Sequence, residues 1–174
     1  GIMDTEYFVT AAAPMNKDVH RWFHAIGIDV TEIYGMTEDT GPATIGVPEN
    51  AAESFSKKLK VDGIEIPSVF NPIGKVGIPI PGTEVKVMDD GELCIKGNHV
   101  AQGYYKADEQ TAETFDKDGW LHTGDLAEID SEGYVKIIGR KKEILITSAG
   151  KNIAPVEIED LVKPHPLIGQ VCVV

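Results

Sequence analysis

Apolar and polar positions along the chain first fall into a strand, a helix and a second strand, then into alternating runs separated by turn residues. Tyr7-Phe8-Val9-Thr10 predicts a short strand. Asn16, just after Pro14, suits a helix N-cap, because its side-chain oxygen can accept the orphan amide hydrogens of a first turn. Val19, Trp22, Phe23 and Ile26 then recur at helical spacing, predicting a helix whose Trp22 and Phe23 belong to the core and which Gly27 ends. Residues 28–34 read as a second strand that Gly35 breaks. Strand, helix and strand form the unit of parallel sheets, whose ligands gather beyond the carboxyl ends of the strands, so chemistry is expected in the loop 35–41.

The texture then changes. Residues 51–72 are polar, carry Lys57, Lys58 and Lys60, and read as a connecting region with one short helix. Residues 84–88 alternate, Asp89-Asp90-Gly91 is a turn signal, and residues 92–96 alternate again, which predicts a hairpin. A short helix is expected over 108–115, and a second hairpin where 126–129 and 134–138 flank Asp130-Ser131-Glu132-Gly133. This middle part reads as a small β subdomain. After the basic Arg140-Lys141-Lys142, residues 143–147 form a strand candidate and Ser148-Ala149-Gly150 a turn. Pro155 can open a helix, with Glu157 and Glu159 favoured at the positive end of its dipole and Pro164 as its stop. The closing Cys172-Val173-Val174 reads as a strand cut short, and Gly1-Ile2-Met3 resembles a cloning remnant, so both ends are expected to be cut.

Composition narrows the function. Of the 174 residues, 42% are hydrophobic, enough for a core in one or two domains. The formal net charge of -12 argues against a nucleic-acid or anionic-lipid surface, so any phosphate site must be local. Cys94 and Cys172 match no redox or zinc spacing, and a reduced, cytoplasmic setting is expected. No apolar run approaches the roughly 20 residues of a membrane helix, which leaves peripheral membrane contact open. His20 and His24 lie one helical turn apart without a third ligand of suitable spacing, and read as a solvated helix face. The three lysines at 57, 58 and 60 could meet phosphate groups of a ligand or a membrane surface, but read more simply as solvated charge.

Three segments carry candidate chemistry. In Tyr34-Gly35-Met36-Thr37-Glu38 an aromatic face can stack on a base, Gly35 lets backbone approach a ligand, the Thr37 hydroxyl can donate to phosphate, and Glu38 is a hard oxygen ligand suited to Mg²⁺. In Gly119-Trp120-Leu121-His122-Thr123-Gly124-Asp125 two glycines bracket an exposed-looking turn whose carboxylate can accept both ribose hydroxyls. Gly139-Arg140-Lys141-Lys142-Glu143 offers a planar guanidinium for ribose or phosphate oxygens. Taken singly, these are also a turn with a half-buried Tyr, an Asp before a strand, and a charged linker.

Together with GELCIKGNHVAQGYY and GKNIAPVEIE, the runs YGMTE, DGWLHTGD and GYVKIIGRKKE resemble, in chain order, the core motifs of the adenylate-forming superfamily of acyl-CoA synthetases, adenylation domains and beetle luciferases. The form GRKKEILITSAGKNIAP is most similar to long-chain fatty acyl-CoA synthetases, including the bubblegum-like group. The resemblance implies an α/β fragment: residues 1–72 end a nucleotide-binding subdomain, 73–140 form a β-rich subdomain, and 141–174 hold a hinge and the start of a small mobile domain. It implies that a fatty acid attacks ATP to give acyl-AMP and pyrophosphate, and that coenzyme A then displaces AMP. Tyr34 would pack on adenine beside Gly35, Thr37 would contact phosphate and Glu38 would hold Mg²⁺. Asp125 would bind the ribose hydroxyls, Arg140 ribose or phosphate, Lys142 would be the hinge, and Gly150 would let pantetheine pass. Nothing here matches the superfamily's Gly/Ser/Thr-rich phosphate loop or its terminal lysine, so the chain alone is expected to be inactive without the remainder of its parent polypeptide. Ala154 stands where relatives often carry a capping serine, and Tyr104-Tyr105-Lys106 departs from the commoner form with Asn. An adenylation domain that loads a carrier protein and a non-catalytic nucleotide-binding fragment are the alternatives.

Overall fold

A computed structural model describes residues 5, 7–48, 71–146 and 152–173. Strand β1 (Phe8–Thr10) pairs in parallel with β2 (Val30–Met36), and helix α1 (Lys17–Ala25) makes the crossover. Asn16 caps α1 as its side chain permits, its Oδ1 accepting the Asp18 amide at 2.9 Å and the Val19 amide at 3.3 Å. Strand β3 (Gly41–Ile45) returns antiparallel to β2, and β4 (Ile78–Pro79) completes a mixed sheet in the order β1-β2-β3-β4.

The second sheet is an antiparallel meander of β5 (Thr83–Val87), β6 (Glu92–Gly97), β7 (Leu121–Ile129) and β8 (Val135–Arg140), with helix α2 (Asp108–Thr114) inserted before β7. Beyond it come a 3-10 turn (Lys141–Glu143), the two-residue pair of β9 (Leu145–Ile146) with β10 (Asn152–Ile153), and helix α3 (Pro155–Val162). Pro155 occupies the first turn of α3, and Ala154 before it makes no side-chain cap.

Two apolar clusters join the sheets. Val76, Leu93, Ala127 and Val135 form one, and Ala43, Ile95 and Leu121 the other; Tyr34 and Val85 pack against both. The Val76 amide donates to the Val135 carbonyl and the Val135 amide to the Gly77 carbonyl, both at 2.8 Å. Tyr34, on the first sheet, thereby lies at the seam with the second.

Several expectations are corrected. Gly35 does not break its strand: β2 runs on to Met36, with a register shift between Tyr34 and Gly35. A Cβ at Gly35 would lie 1.8 Å from the Gly41 carbonyl oxygen, so glycine is needed for close strand approach rather than for a turn. The segment with His122, Thr123 and Asp125 is also strand, because Leu121, Thr123, Asp125 and Ala127 alternate inward along β7. On α1 the faces are reversed: His20 is 2% exposed and Trp22 58%. The sheet offers α1 the buried carboxylate of Glu32, 3.8 Å from His20 Nδ1, and imidazole suits that position better than an indole. Trp22 and Phe23 instead meet edge to face at 5.0 Å, with Val19 on the helix and Ile26 at its C-cap both exposed. The final Val171–Val173 forms no strand; the Val173 amide donates to Glu159 on α3 at 3.0 Å. The short helix expected in 51–72 and the lysines at 57, 58 and 60 fall among residues outside those described, as do Gly150 and the turn at 148–150.

Candidate functional site

Strand pairing builds the centre of the site. Asp125 on β7 is paired with Arg140 at the end of β8, and its carboxylate Oδ1 lies 3.0 Å from Arg140 Nε. The Tyr34 hydroxyl, arriving from the first sheet, donates to Asp125 Oδ2 at 2.6 Å. The Asp125 side chain is 8% exposed and that of Arg140 55%, so the carboxylate is fixed in the interior while its cation can move toward a ligand. Burial pushes the Asp125 carboxyl up from its ordinary value, opposed by the Tyr34 hydrogen bond and the Arg140 charge. Burial and the same hydrogen bond raise the Tyr34 phenol, which stays a neutral donor. Gly124 adopts φ +72°, which aims its amide away from the regular ladder and onto Glu92 Oε1 at 2.9 Å.

Thr37 and Glu38 sit on the turn just beyond β2, in the 3-10 segment Thr37–Asp39. At the rise of a strand, Thr37 lies roughly 10 Å from Tyr34 along the chain, the scale of a nucleoside with its first phosphate. Asp39, 1% exposed, locks this turn by accepting the amides of Met36 at 3.0 Å and Gly41 at 3.2 Å. The segment following β6 closes over it. The Ala101 amide donates to the Glu38 carbonyl at 2.7 Å, the Thr40 hydroxyl donates to the His99 carbonyl, and the Tyr104 hydroxyl donates to Glu38 Oε1 at 2.6 Å.

Among the described residues no group of three His, Cys, Asp or Glu side chains could hold a metal by itself. Glu38 is half-buried, and no described residue donates to its Oε2. One free carboxylate oxygen fits Mg²⁺, which takes one or two protein carboxylates and completes its shell with phosphate and water.

The structure therefore brings Tyr34, Asp125 and Arg140 together, puts Gly35, Thr37 and Glu38 on the adjoining strand end and turn, and sets Lys142 on the turn directly after Arg140. The Tyr34 ring packs on the apolar seam and its hydroxyl serves Asp125, a link that motif spacing did not disclose. Asp39, Glu92 and Tyr104 adjoin the candidate residues through hydrogen bonds that the motifs do not announce. Asp39 and Glu92 carry a readable signal, since an acidic residue at a tight turn or at the head of an apolar strand needs a partner when buried. Tyr104 carried none.

A mixed sheet seamed to a meander, with a buried carboxylate shared by Tyr and Arg beside a Thr-Glu turn, is the framework of an adenylate-forming enzyme. The model of the AMP-binding enzyme family matches residues 4–105, and the chain belongs to that family. It is 38% identical over 168 residues to the long-chain-fatty-acid–CoA ligase FadD15 of Mycobacterium bovis, covering 95% of this chain and 24% of that protein. It is likewise 38% identical over 166 residues to the long-chain-fatty-acid–CoA ligase ACSBG2 of Gallus gallus, covering 95% of this chain and 20% of that one. Among solved structures, ATP-bound MatB from Rhodopseudomonas palustris superposes with a TM-score of 0.76 at 33% identity, over 97% of this chain and 32% of that chain. The chain thus spans a quarter or less of these two curated relatives.

Proposed function

We propose that the protein containing this chain activates a fatty acid with ATP and transfers the acyl group to coenzyme A. The observation that carries this reading is the Asp125 carboxylate, buried, held by Tyr34 and Arg140, and set beside the Thr37-Glu38 turn. Asp125 would accept the two ribose hydroxyls, with Arg140 swinging to ribose or phosphate oxygens and Tyr34 holding the carboxylate in place. The Thr37 hydroxyl would donate to the α-phosphate as the fatty-acid carboxylate oxygen attacks phosphorus and the bond to the β-phosphate breaks, releasing pyrophosphate. Glu38 would hold Mg²⁺, which when bound neutralises phosphate charge. The coenzyme A sulfur then attacks the acyl carbon and AMP leaves.

In this reading residues 1–72 close the nucleotide-binding unit, 73–140 form a β-rich unit carrying Asp125, and 141–174 begin a small unit that turns about Lys142. Gly150 is assigned to pantetheine passage by motif position alone. The two fatty-acid–CoA ligases support the choice of acid and acceptor, and the ATP-bound relative supports the nucleotide. Among the described residues no helix is long and apolar enough to cross a membrane. The test is pyrophosphate release by the full-length protein with ATP and a panel of fatty acids. Release followed by acyl-CoA formation supports the proposal. Acyl transfer to a carrier protein but not to CoA would replace the acceptor, and AMP binding without pyrophosphate release would reduce the protein to a nucleotide binder.

A further inference from the structure

Glu92 heads β6 and is 7% exposed, yet motif chemistry gives it no task. Its Oε1 accepts the Gly124 amide at 2.9 Å. Its Oε2 accepts Lys141 Nζ at 3.0 Å and lies 3.2 Å from His122 Nδ1. Lys141 Nζ also donates to Asp90 Oδ2 at 2.6 Å, and Asp90 Oδ1 accepts the Glu92 amide at 3.1 Å. One buried carboxylate therefore grips the residue before Asp125 with one oxygen and the residue before Lys142 with the other.

The placement is uneconomical for a sheet that only needs to stay folded. Taking a carboxylate out of water is unfavourable, and an apolar residue at a buried strand end would avoid that penalty. The ladder between β6 and β7 shifts register between Glu92 and Cys94, and Gly124 points its amide at a side chain instead of a strand partner. The Thr123-Gly124 peptide, which leads into Asp125, is consequently oriented by Glu92. On the other side Lys141, 42% exposed, leaves the end of β8 and would swing freely without its two carboxylates. The cleft at this junction, about 630 Å³, is lined by Glu92, His122, Gly124, Lys141 and Lys142 among others.

We propose that Glu92 is a positioning residue that sets the Asp125 carboxylate for the nucleotide and anchors the fixed side of the hinge through Lys141. The proposal rests on the adenylation reading above. Its two arms separate by substitution. Glu92→Gln keeps an acceptor for the Gly124 amide and loses the charge that holds Lys141, Glu92→Ala loses both, and Lys141→Met loses only the hinge arm.

The test is made in the full-length protein with AMP as the binding probe, by calorimetry, alongside steady-state turnover. E92A is expected to weaken AMP binding about tenfold, and E92Q to bind within about threefold of the parent. E92Q and K141M are both expected to lower kcat about tenfold with KM for ATP unchanged, because a loosened hinge post misplaces groups without removing any ligand contact. Amide hydrogen exchange at Gly124 should quicken in E92A and stay slow in K141M. Folded E92A that binds AMP as the parent does, or E92Q and K141M that turn over at the parental rate, would overturn the proposal. If E92A does not fold, E92Q and K141M still decide it through the kcat and KM split. An unsubstituted protein that binds AMP but activates no acid would sink the fatty-acid reading while E92A still tests the nucleotide arm. One that binds no AMP would overturn both.

Discussion

Asp125 gives up water on folding and is repaid by two donors of unequal burial. Asp125→Ala leaves the Tyr34 hydroxyl without its acceptor inside the seam, and stability should fall by about 1–3 kcal/mol. AMP affinity in the full-length protein should fall some tens to hundreds of fold, about 2–4 kcal/mol. Arg140→Ala takes the charge partner from a buried carboxylate and should also lower stability by about 1–3 kcal/mol while weakening AMP. Melting curves and AMP titrations read both, and an Arg140→Ala with parental stability and parental AMP affinity would contradict the pairing of Arg140 with the buried anion. Tyr104→Phe removes one hydroxyl from Glu38 and leaves the ring on Phe115, whose centroid is 5.7 Å away. If Glu38 holds Mg²⁺ as proposed, the Mg²⁺ concentration needed for half-maximal ATP binding should rise roughly tenfold, with the melting temperature unchanged. Calorimetric titration at graded Mg²⁺ would show it, and a parental Mg²⁺ dependence would remove Tyr104 from the site.

Strand β2 carries the site through a glycine that the sequence presents as a breaker. Because a Cβ at Gly35 would meet the Gly41 carbonyl at 1.8 Å, Gly35→Ala must push β3 away from β2. The expected loss is about 3 kcal/mol or more, read by denaturant unfolding, and a loss below 1 kcal/mol would show that the pair opens easily. Strand β6 contributes a different signature. Burial pushes the Cys94 thiol up to about 11 from an ordinary 9.0, and the Tyr134 phenol before β8 up to about 12 from 10.0. Between pH 9 and 11 the unfolded chain releases the Cys94 proton while the folded chain retains it, so the unfolded state binds fewer protons and stability falls as pH rises. Tyr134 extends the decline from pH 10 to about 12. Melting temperatures across this range should drop, and Cys94→Ala should flatten the part below pH 11. Capping and helix placement at α1, both hairpins and the Pro155 helix start were legible, because each depends on neighbours a few residues apart. The inward face of α1 was not, because Glu32, not the apolar stripe, determines what the sheet accepts.

Across the whole molecule, Lys142 follows a strand end that is tied down at Asp125, Glu92 and Asp90, and precedes the two-residue pair of β9 with β10. If the unit at 141–174 turns about Lys142 as proposed, Lys142→Pro in the full-length protein, which fixes one backbone angle, should hold that unit in one orientation. Acyl-AMP formation should stay within about tenfold, roughly 1.4 kcal/mol of barrier, while thioester formation from supplied acyl-AMP falls much further. An unchanged ratio of the two rates in a folded variant would leave residues 140–143 as an ordinary connection. The order of motifs, the choice of acidic and basic candidate residues and the alternation of the strands belong to the sequence itself, since they are local and survive without knowing what lies above or below each strand. That Tyr34 reaches Asp125 across 91 positions, Tyr104 reaches Glu38 across 66, and Glu92 reaches both Gly124 and Lys141 was decided only when the two sheets met. Side chains far apart in sequence become partners through packing, and a buried carboxylate selects its donors from whatever the packed sheets place within hydrogen-bonding reach.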